Sequence, residues 1–244
     1  MADALRTSTV VEIIRPIKSG TTEPFLCRLD DDRLYAIKGR GANAHGLIAE
    51  VYAACLGRAL GLEIPNFALA DVPADLVDIY PDPALRQSIG AGMGFASFWQ
   101  QPAEDVTVPL LEAFDPQLLA RVYVFDHWIR NGDRSLTEHG GNVNLLVRLR
   151  DRALIVIDHN LAFWPAYQHD ELELHACRKA WLHASRSMLF KDELRAEMEG
   201  AMKRIEGLDA LLPDAWIEQE PHFAAAAGET LARMHGDAFW DELG

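Results

Sequence analysis

Basic residues are scarce in this chain. Lys and Arg number 23 against 37 Asp and Glu, a formal net charge of −14. That deficit argues against wrapping nucleic acid or lying on anionic lipid, because both need a basic surface. It leaves room for a small polyanion held by a metal ion and a few local cations. Cysteine is rarer still. Cys27, Cys55 and Cys177 are too few and too scattered for a disulfide framework or a Cys-rich zinc site, and they suit a reduced, cytoplasmic setting. There is no apolar run of roughly 18 residues to span a membrane. The start, MADALRTSTVVEIIRP, has no long apolar core after a basic residue, so no signal peptide is expected. Repeats are absent, and no low-complexity tract exceeds Ala224–Ala227. Neither a Gly-x-Ser-x-Gly elbow nor a His-Glu-x-x-His pair occurs.

What is there is the composition of a soluble globular protein: 244 residues, 49% apolar and 25% charged, enough for one large domain or two lobes around one site. Residues 9–40 read as strands. Val10–Ile14 is a β-rich run, and Phe25–Leu29 and Leu34–Lys38 form a hairpin around Asp30-Asp31-Asp32. Gly39–Ala44 is a loop. Residues 45–61 read as a helix closed by Gly61. Ile64–Val72 and Gly92–Trp99 are further strands, with Asp71–Arg86 a loop between them. From residue 110 the apolar period becomes helical, with one helix over 116–130 started by Pro116. A polar loop, Asn131–Asn142, precedes a second hairpin, Leu145–Leu149 and Leu154–Ile157. From about residue 170 the chain is helical, broken by Gly207, Pro213 and Pro221. The expected class is α+β in two lobes. Residues 1–103 form a small antiparallel sheet with one helix, and residues 104–244 a mostly helical lobe, with the boundary in Gln100–Val108.

Four segments carry polar groups that a core or a plain loop does not need. Tyr35-Ala36-Ile37-Lys38 puts an amine at the end of an apolar strand. Glu50, on the next helix, is placed to pair with it. Asn131-Gly132-Asp133-Arg134 is followed by Asn142-Val143-Asn144. Ile155-Val156-Ile157-Asp158 caps a β-branched run with a carboxylate. Phosphoryl transfer needs this inventory: a cation for the phosphates, a Glu to orient it, a carboxylate to aim the nucleophile, and a carboxylate with an amide oxygen for Mg²⁺. The second hairpin brings Asp158 back beside Asn144, because a hairpin sets its ends side by side.

Taken together these segments resemble the HipA-like group of kinase-fold proteins, with kinship to the phosphoinositide lipid kinases. The carrying stretches are YAIKGR at 35–40, AEVYAACLGRALGLEIP at 49–65, FDHWIRNGDR at 125–134, GGNVNLLV at 140–147 and IVIDHNLAFW at 155–164. They are collinear and span about 130 residues, and their order is more specific than any one of them. The resemblance implies a bilobal protein-kinase-like fold and an ATP- and Mg²⁺-dependent phosphotransferase. In it Lys38 binds the ATP phosphates and Glu50 is its ion-pair partner. Asp133 is the catalytic carboxylate and Asp158 a metal ligand, with Asn142 or Asn144 completing the metal site. Ser19, Gly20 and Thr21 sit where the phosphate-covering loop belongs, and Phe95 and Ser97 approach the adenine.

The sequence also departs from that pattern. The loop at Ser19–Thr22 has one glycine. Nine residues separate Asp133 from Asn142 and eleven separate it from Asn144, against about five in the common kinase pattern, so Thr137–Gly141 must bulge out. His159-Asn160 follows Asp158 where Phe-Gly is usual, and Asn160 tolerates a left-handed turn. Little room remains for an activation segment or a peptide-docking groove. The acceptor is a protein or small-molecule hydroxyl, with Ser or Thr favoured by analogy. Two other readings stay open: a pseudokinase or nucleotide-binding interaction module, and a small-molecule kinase of the antibiotic-phosphotransferase type. Asp126 is a candidate buttress for the catalytic loop. His127, His139, His159 and His169 read as surface or structural, and Trp128, Trp164, Trp181, Trp216 and Trp240 as helix-packing anchors.

Overall fold

The computed structural model describes residues 5–17, 23–136, 141–184 and 188–244. Its first strands are β1 (Thr7–Pro16), β2 (Phe25–Leu29) and β3 (Leu34–Lys38). The acidic turn between β2 and β3 works as local chemistry. Asp32 takes a left-handed φ of 62°, which Asp tolerates. The Asp31 carboxylate accepts from the Arg33 N–H at 3.1 Å and the Tyr35 hydroxyl at 2.9 Å.

After β3 comes α1 (Asn43–Ala59), then β4 (Phe67–Val72), α2 (Ala74–Ile79), α3 (Pro83–Ile89) and β5 (Gly92–Phe98). The five strands close into a barrel in the order β1-β2-β3-β5-β4. This corrects the expected small antiparallel sheet, because the barrel is closed and β1 and β4 run parallel, with Thr7 opposite Leu69 and Thr9 opposite Asp71. Two register shifts in β1, at Val10/Glu12 and Ile13/Arg15, bend the strand. Bulges of this kind let one strand serve two neighbours. A compact core of Val10, Phe25, Cys27, Leu29, Ile37 and Ala70 fills the barrel.

The stretch Asp71–Arg86 is not a plain loop, since it holds α2 and the start of α3. Asp82 caps α3 by accepting from the Ala84 N–H at 2.9 Å, with Pro83 at the first turn. That is a recognisable start signal. Among the described residues the first half therefore carries three α-helices rather than one.

α1 is buried nearly all round, with Leu47, Ile48, Val51, Tyr52 and Leu56 inside. It shares one apolar core with barrel residues Leu69 and Phe95 and with the helices of the second half. Gly57 makes the close approach possible, because a Cβ there would stand 2.3 Å from Ile64 Cδ1 and 3.1 Å from Phe125 Cζ.

The second half opens with β6 (Ala103–Asp105), α4 (Val108–Leu111) and α5 (Pro116–Trp128). It continues with β7 (Leu145–Arg148) and β8 (Ala153–Val156). The hairpin expected here forms, and β6 adds a third strand in the order β6-β7-β8. The rest is α6 (Arg178–Ala184), α7 (Met188–Met202), α8 (Asp214–Gln219), α9 (Phe223–Ala232) and α10 (Asp237–Asp241). Pro213 precedes α8, and Gly207 turns with φ 72°. Trp128, Trp181, Trp216 and Trp240 are buried, whereas Trp164 is 45% exposed and packs edge-on against His45 of α1. Among the described residues no helix is long and apolar enough to cross a membrane.

Candidate active site

β3 ends at Lys38, directly opposite Phe95 of β5. Its ammonium points toward α1 and the segment after β8. The Nζ donates to Glu50 Oε1 at 2.6 Å, to Asp158 Oδ1 at 2.5 Å and to Asn160 Oδ1 at 3.0 Å. An ammonium has three N–H donors, so each has an acceptor. Burial alone would lower the Lys38 pKa, but the charges of Glu50 and Asp158 outweigh it and the value is raised. Glu50 is 3% exposed. Burial would raise its pKa, yet the Lys38 charge and the nearby His159 hold it down at about 2. Such a cluster is stable only as a set, since a buried charge without its partner is costly.

The second group stands on the loop after α5. Arg134 is fully buried and pins that loop. Its Nε donates to Asp126 Oδ2 at 2.6 Å. Its other nitrogens donate to the carbonyls of Val143 (3.3 Å), Asn144 and Ile157 (3.4 Å). Arg134 is thus engaged in an ion pair to α5 and in holding backbone, not in reaching a phosphate. Asp126 also accepts from Asn131 Nδ2 at 2.8 Å and meets His175 Nε2 at 2.8 Å. Despite burial, Arg134 and His175 keep the Asp126 carboxyl below the usual range.

With the loop held, Asp133 meets both asparagines. Asn142 Nδ2 donates to Asp133 Oδ2 at 2.7 Å. Asn144 Nδ2 donates to the Asp133 carbonyl at 2.9 Å and lies 3.4 Å from Oδ2. The base of the long loop is closed by the Ser135 N–H on the Asn142 carbonyl at 2.9 Å. Gly141 is required there, since a Cβ would stand 2.3 Å from the Ser135 carbonyl oxygen. Burial and then the charge of Asp158 raise the Asp133 pKa, against the opposing bond from Asn142. Asn144 and Asp158 take φ of 46° and 61°. The left-handed residue of the turn is therefore Asp158 itself rather than Asn160. Strain of this sort is tolerated where surroundings enforce it.

Beside the Lys38 group lies a cleft that is partly open to solvent. Lys38, Glu50 and Asp158 line its polar end. Ala36, Ile64, Phe95, Ser97, Leu146 and Ile157 line the apolar part. Phe95 stacks on Phe67 at 5.8 Å. Ala36 and Leu146 were not singled out from the sequence, although Ala36 pairs with Ser97 and so follows from the strand register. Ser19, Gly20 and Thr21, and residues 137–140 of the insertion with His139, lie outside the described residues. His127 and His159 are buried and His169 is exposed. Among the described residues no cluster of three or more His, Cys, Asp or Glu gathers as a metal site. The oxygen donors at hand are the carboxylates of Asp133 and Asp158 and the amides of Asn142 and Asn144.

A family model for HipA-like kinases matches residues 10–243. No curated protein matches the chain. Among solved structures, the Helicobacter pylori proinflammatory kinase CtkA aligns with a TM-score of 0.54 at 11% identity, over 98% of this chain and 98% of that one. The Golgi casein kinase with Mn/ADP bound aligns with a TM-score of 0.48 at 14% identity, over 96% of this chain and 74% of that one.

Proposed function

The chain belongs to the HipA-like kinase family, and from that premise we propose that it transfers the γ-phosphate of ATP, with Mg²⁺, to the hydroxyl of a Ser or Thr side chain. That it is a kinase-type phosphotransferase follows from the family. The observation that supports the finer reading is the convergence of Glu50, from α1, and Asp158, from the turn after β8, within 2.6 Å of the Lys38 ammonium at the end of β3.

Lys38 binds the phosphates as a point charge, and Glu50 fixes its direction. Ala36, Phe95, Ser97 and Leu146 hold the base in the apolar part of the cleft. Asp133 accepts a hydrogen bond from the acceptor hydroxyl and aims its oxygen at the γ-phosphorus. The new O–P bond forms as the bond to the β-phosphate oxygen breaks, and the hydroxyl proton passes to the Asp133 carboxylate. The donor set suits Mg²⁺, a hard cation that takes oxygen ligands. Asp158 offers a carboxylate, and Asn144 or Asn142 an amide oxygen left free while its Nδ2 bonds Asp133. When bound, Mg²⁺ supplies neutralisation of the phosphate charge. Residues 1–103 form the phosphate-binding half and residues 104–244 the half that carries Asp133 and the metal ligands. Three unpaired cysteines suit a cytoplasmic setting.

The test is a pair of variants measured for both binding and turnover. Lys38→Ala weakens ATP binding. Asp133→Ala binds ATP as the parent does and loses transfer by about 100-fold or more. Wild-type activity in both variants overturns the assignment. ATP binding with no turnover in the parent chain favours a nucleotide-binding module instead.

A further inference from the structure

His159 replaces the phenylalanine usual after a metal-binding Asp of this kind, and it is 1% exposed. Its Nε2 lies 3.3 Å from Arg134 Nη2. A guanidinium only donates, so Nε2 accepts and Nδ1 is left to face the other way. That nitrogen faces Glu50 Oε2 at 3.8 Å, the carboxylate oxygen that Lys38 does not use. The distance is too long for a hydrogen bond. It is an electrostatic contact in a buried setting, where a low dielectric makes such contacts count. The ring is also packed edge-on to Phe125 of α5, centroids 5.7 Å apart.

A polar chain runs from Lys38 to Glu50, across a 3.8 Å contact to His159, then to Arg134 and on to Asp126. Arg134 holds the loop that carries Asp133 through Asp126 and the carbonyls of Val143 and Asn144. We propose that His159 is a positioning residue: with Nε2 on Arg134 and Nδ1 facing Glu50, it holds Glu50, and through it Lys38, in register with the Arg134-pinned loop. A phenyl ring could fill the same space, but it has neither the donor nor the acceptor. The inference rests on the roles given to Lys38 and Glu50 above.

The test measures affinity for ATP with Mg²⁺, alongside thermal midpoints, for four variants of the full chain. Glu50→Gln tests the underlying reading and binds ATP more weakly. His159→Phe, which keeps shape alone, binds ATP about tenfold more weakly, as expected when a contact to a charged group is lost. His159→Asn, whose amide stands in for Nδ1, stays within about threefold of the parent. His159→Gln, which keeps an acceptor for Arg134 but no donor at Nδ1, behaves like His159→Phe and decides the matter should the phenylalanine variant not fold. If Glu50→Gln weakens binding while His159→Phe and His159→Gln bind like the parent, the His159 proposal fails alone. If Glu50→Gln itself binds like the parent, the assignment of Lys38 and Glu50 fails first. A His159→Asn variant as weak as His159→Gln, with its thermal midpoint unchanged, also overturns the proposal.

Discussion

Lys38 Nζ and Asp158 Oδ1 stand 2.5 Å apart although 120 residues separate them. The contact joins the last residue of β3 to the turn after β8, and it shares one ammonium with Glu50 on α1. Three elements are thereby tied by a single cation, and the energetics follow from who is left alone when it goes.

Replacing Lys38 by Met removes the counter-charge of a carboxylate that is 3% exposed. Breaking one partner of a buried pair costs about 3–5 kcal/mol. Urea unfolding of Lys38→Met therefore shows a loss of that order. Adding Glu50→Gln to it restores part of the stability, because the stranded charge is gone. A double variant less stable than Lys38→Met contradicts the pairing.

Acid should weaken the fold in two steps of the same sign. His127 is buried, which with the nearby Arg233 charge lowers its pKa from 6.5 to about 3. The unfolded chain takes the proton first, so stability falls as pH drops below 6.5. Glu50 lies at about 2 against an ordinary 4.5. Its contribution is complete above pH 4.5 and is lost as pH falls toward 2. Urea midpoints measured from pH 7 downward should decline through both windows, and Glu50→Gln should flatten the lower one. A midpoint constant down to pH 3 is inconsistent with these burial effects.

The two asparagines should separate by assay. The Asn142 side chain donates to the Asp133 carboxylate at 2.7 Å, whereas that of Asn144 donates to the Asp133 backbone carbonyl at 2.9 Å, and Asn144 sits beside Ile157, whose N–H meets its carbonyl at 3.2 Å. Asn142→Ala should lower turnover about tenfold, the loss of a hydrogen bond to a charged group, with ATP affinity kept. Asn144→Ala should reduce affinity for ATP in the presence of Mg²⁺. The opposite split assigns the metal-facing amide to Asn142.

Much of the frame was legible in the sequence. The two hairpins, α1 and α5 follow from apolar period and turn chemistry, and the positions of Lys38 and Glu50 on neighbouring elements suggested their contact. Closure of the barrel was not legible, because it depends on bulges in β1 and on a parallel pairing with β4 some 60 residues away. The helix α3 was missed although Asp82-Pro83 announces it, and β6, only three residues long, carries too little pattern to find. An ion pair from Arg134 to a helix was one of two readings the sequence allowed, and the partner is Asp126 of α5. The use of His159 was hidden, because nothing local distinguishes a buried, satisfied polar residue from a solvated one.

The most direct measurement is calorimetric titration of ATP into the parent chain and Asp158→Asn, each with and without Mg²⁺. The parent should bind ATP more tightly with Mg²⁺ present, and Asp158→Asn should lose most of that difference. An equal Mg²⁺ effect in the two proteins would contradict a site in which Asp158 faces the metal-chelated phosphates that Lys38 holds.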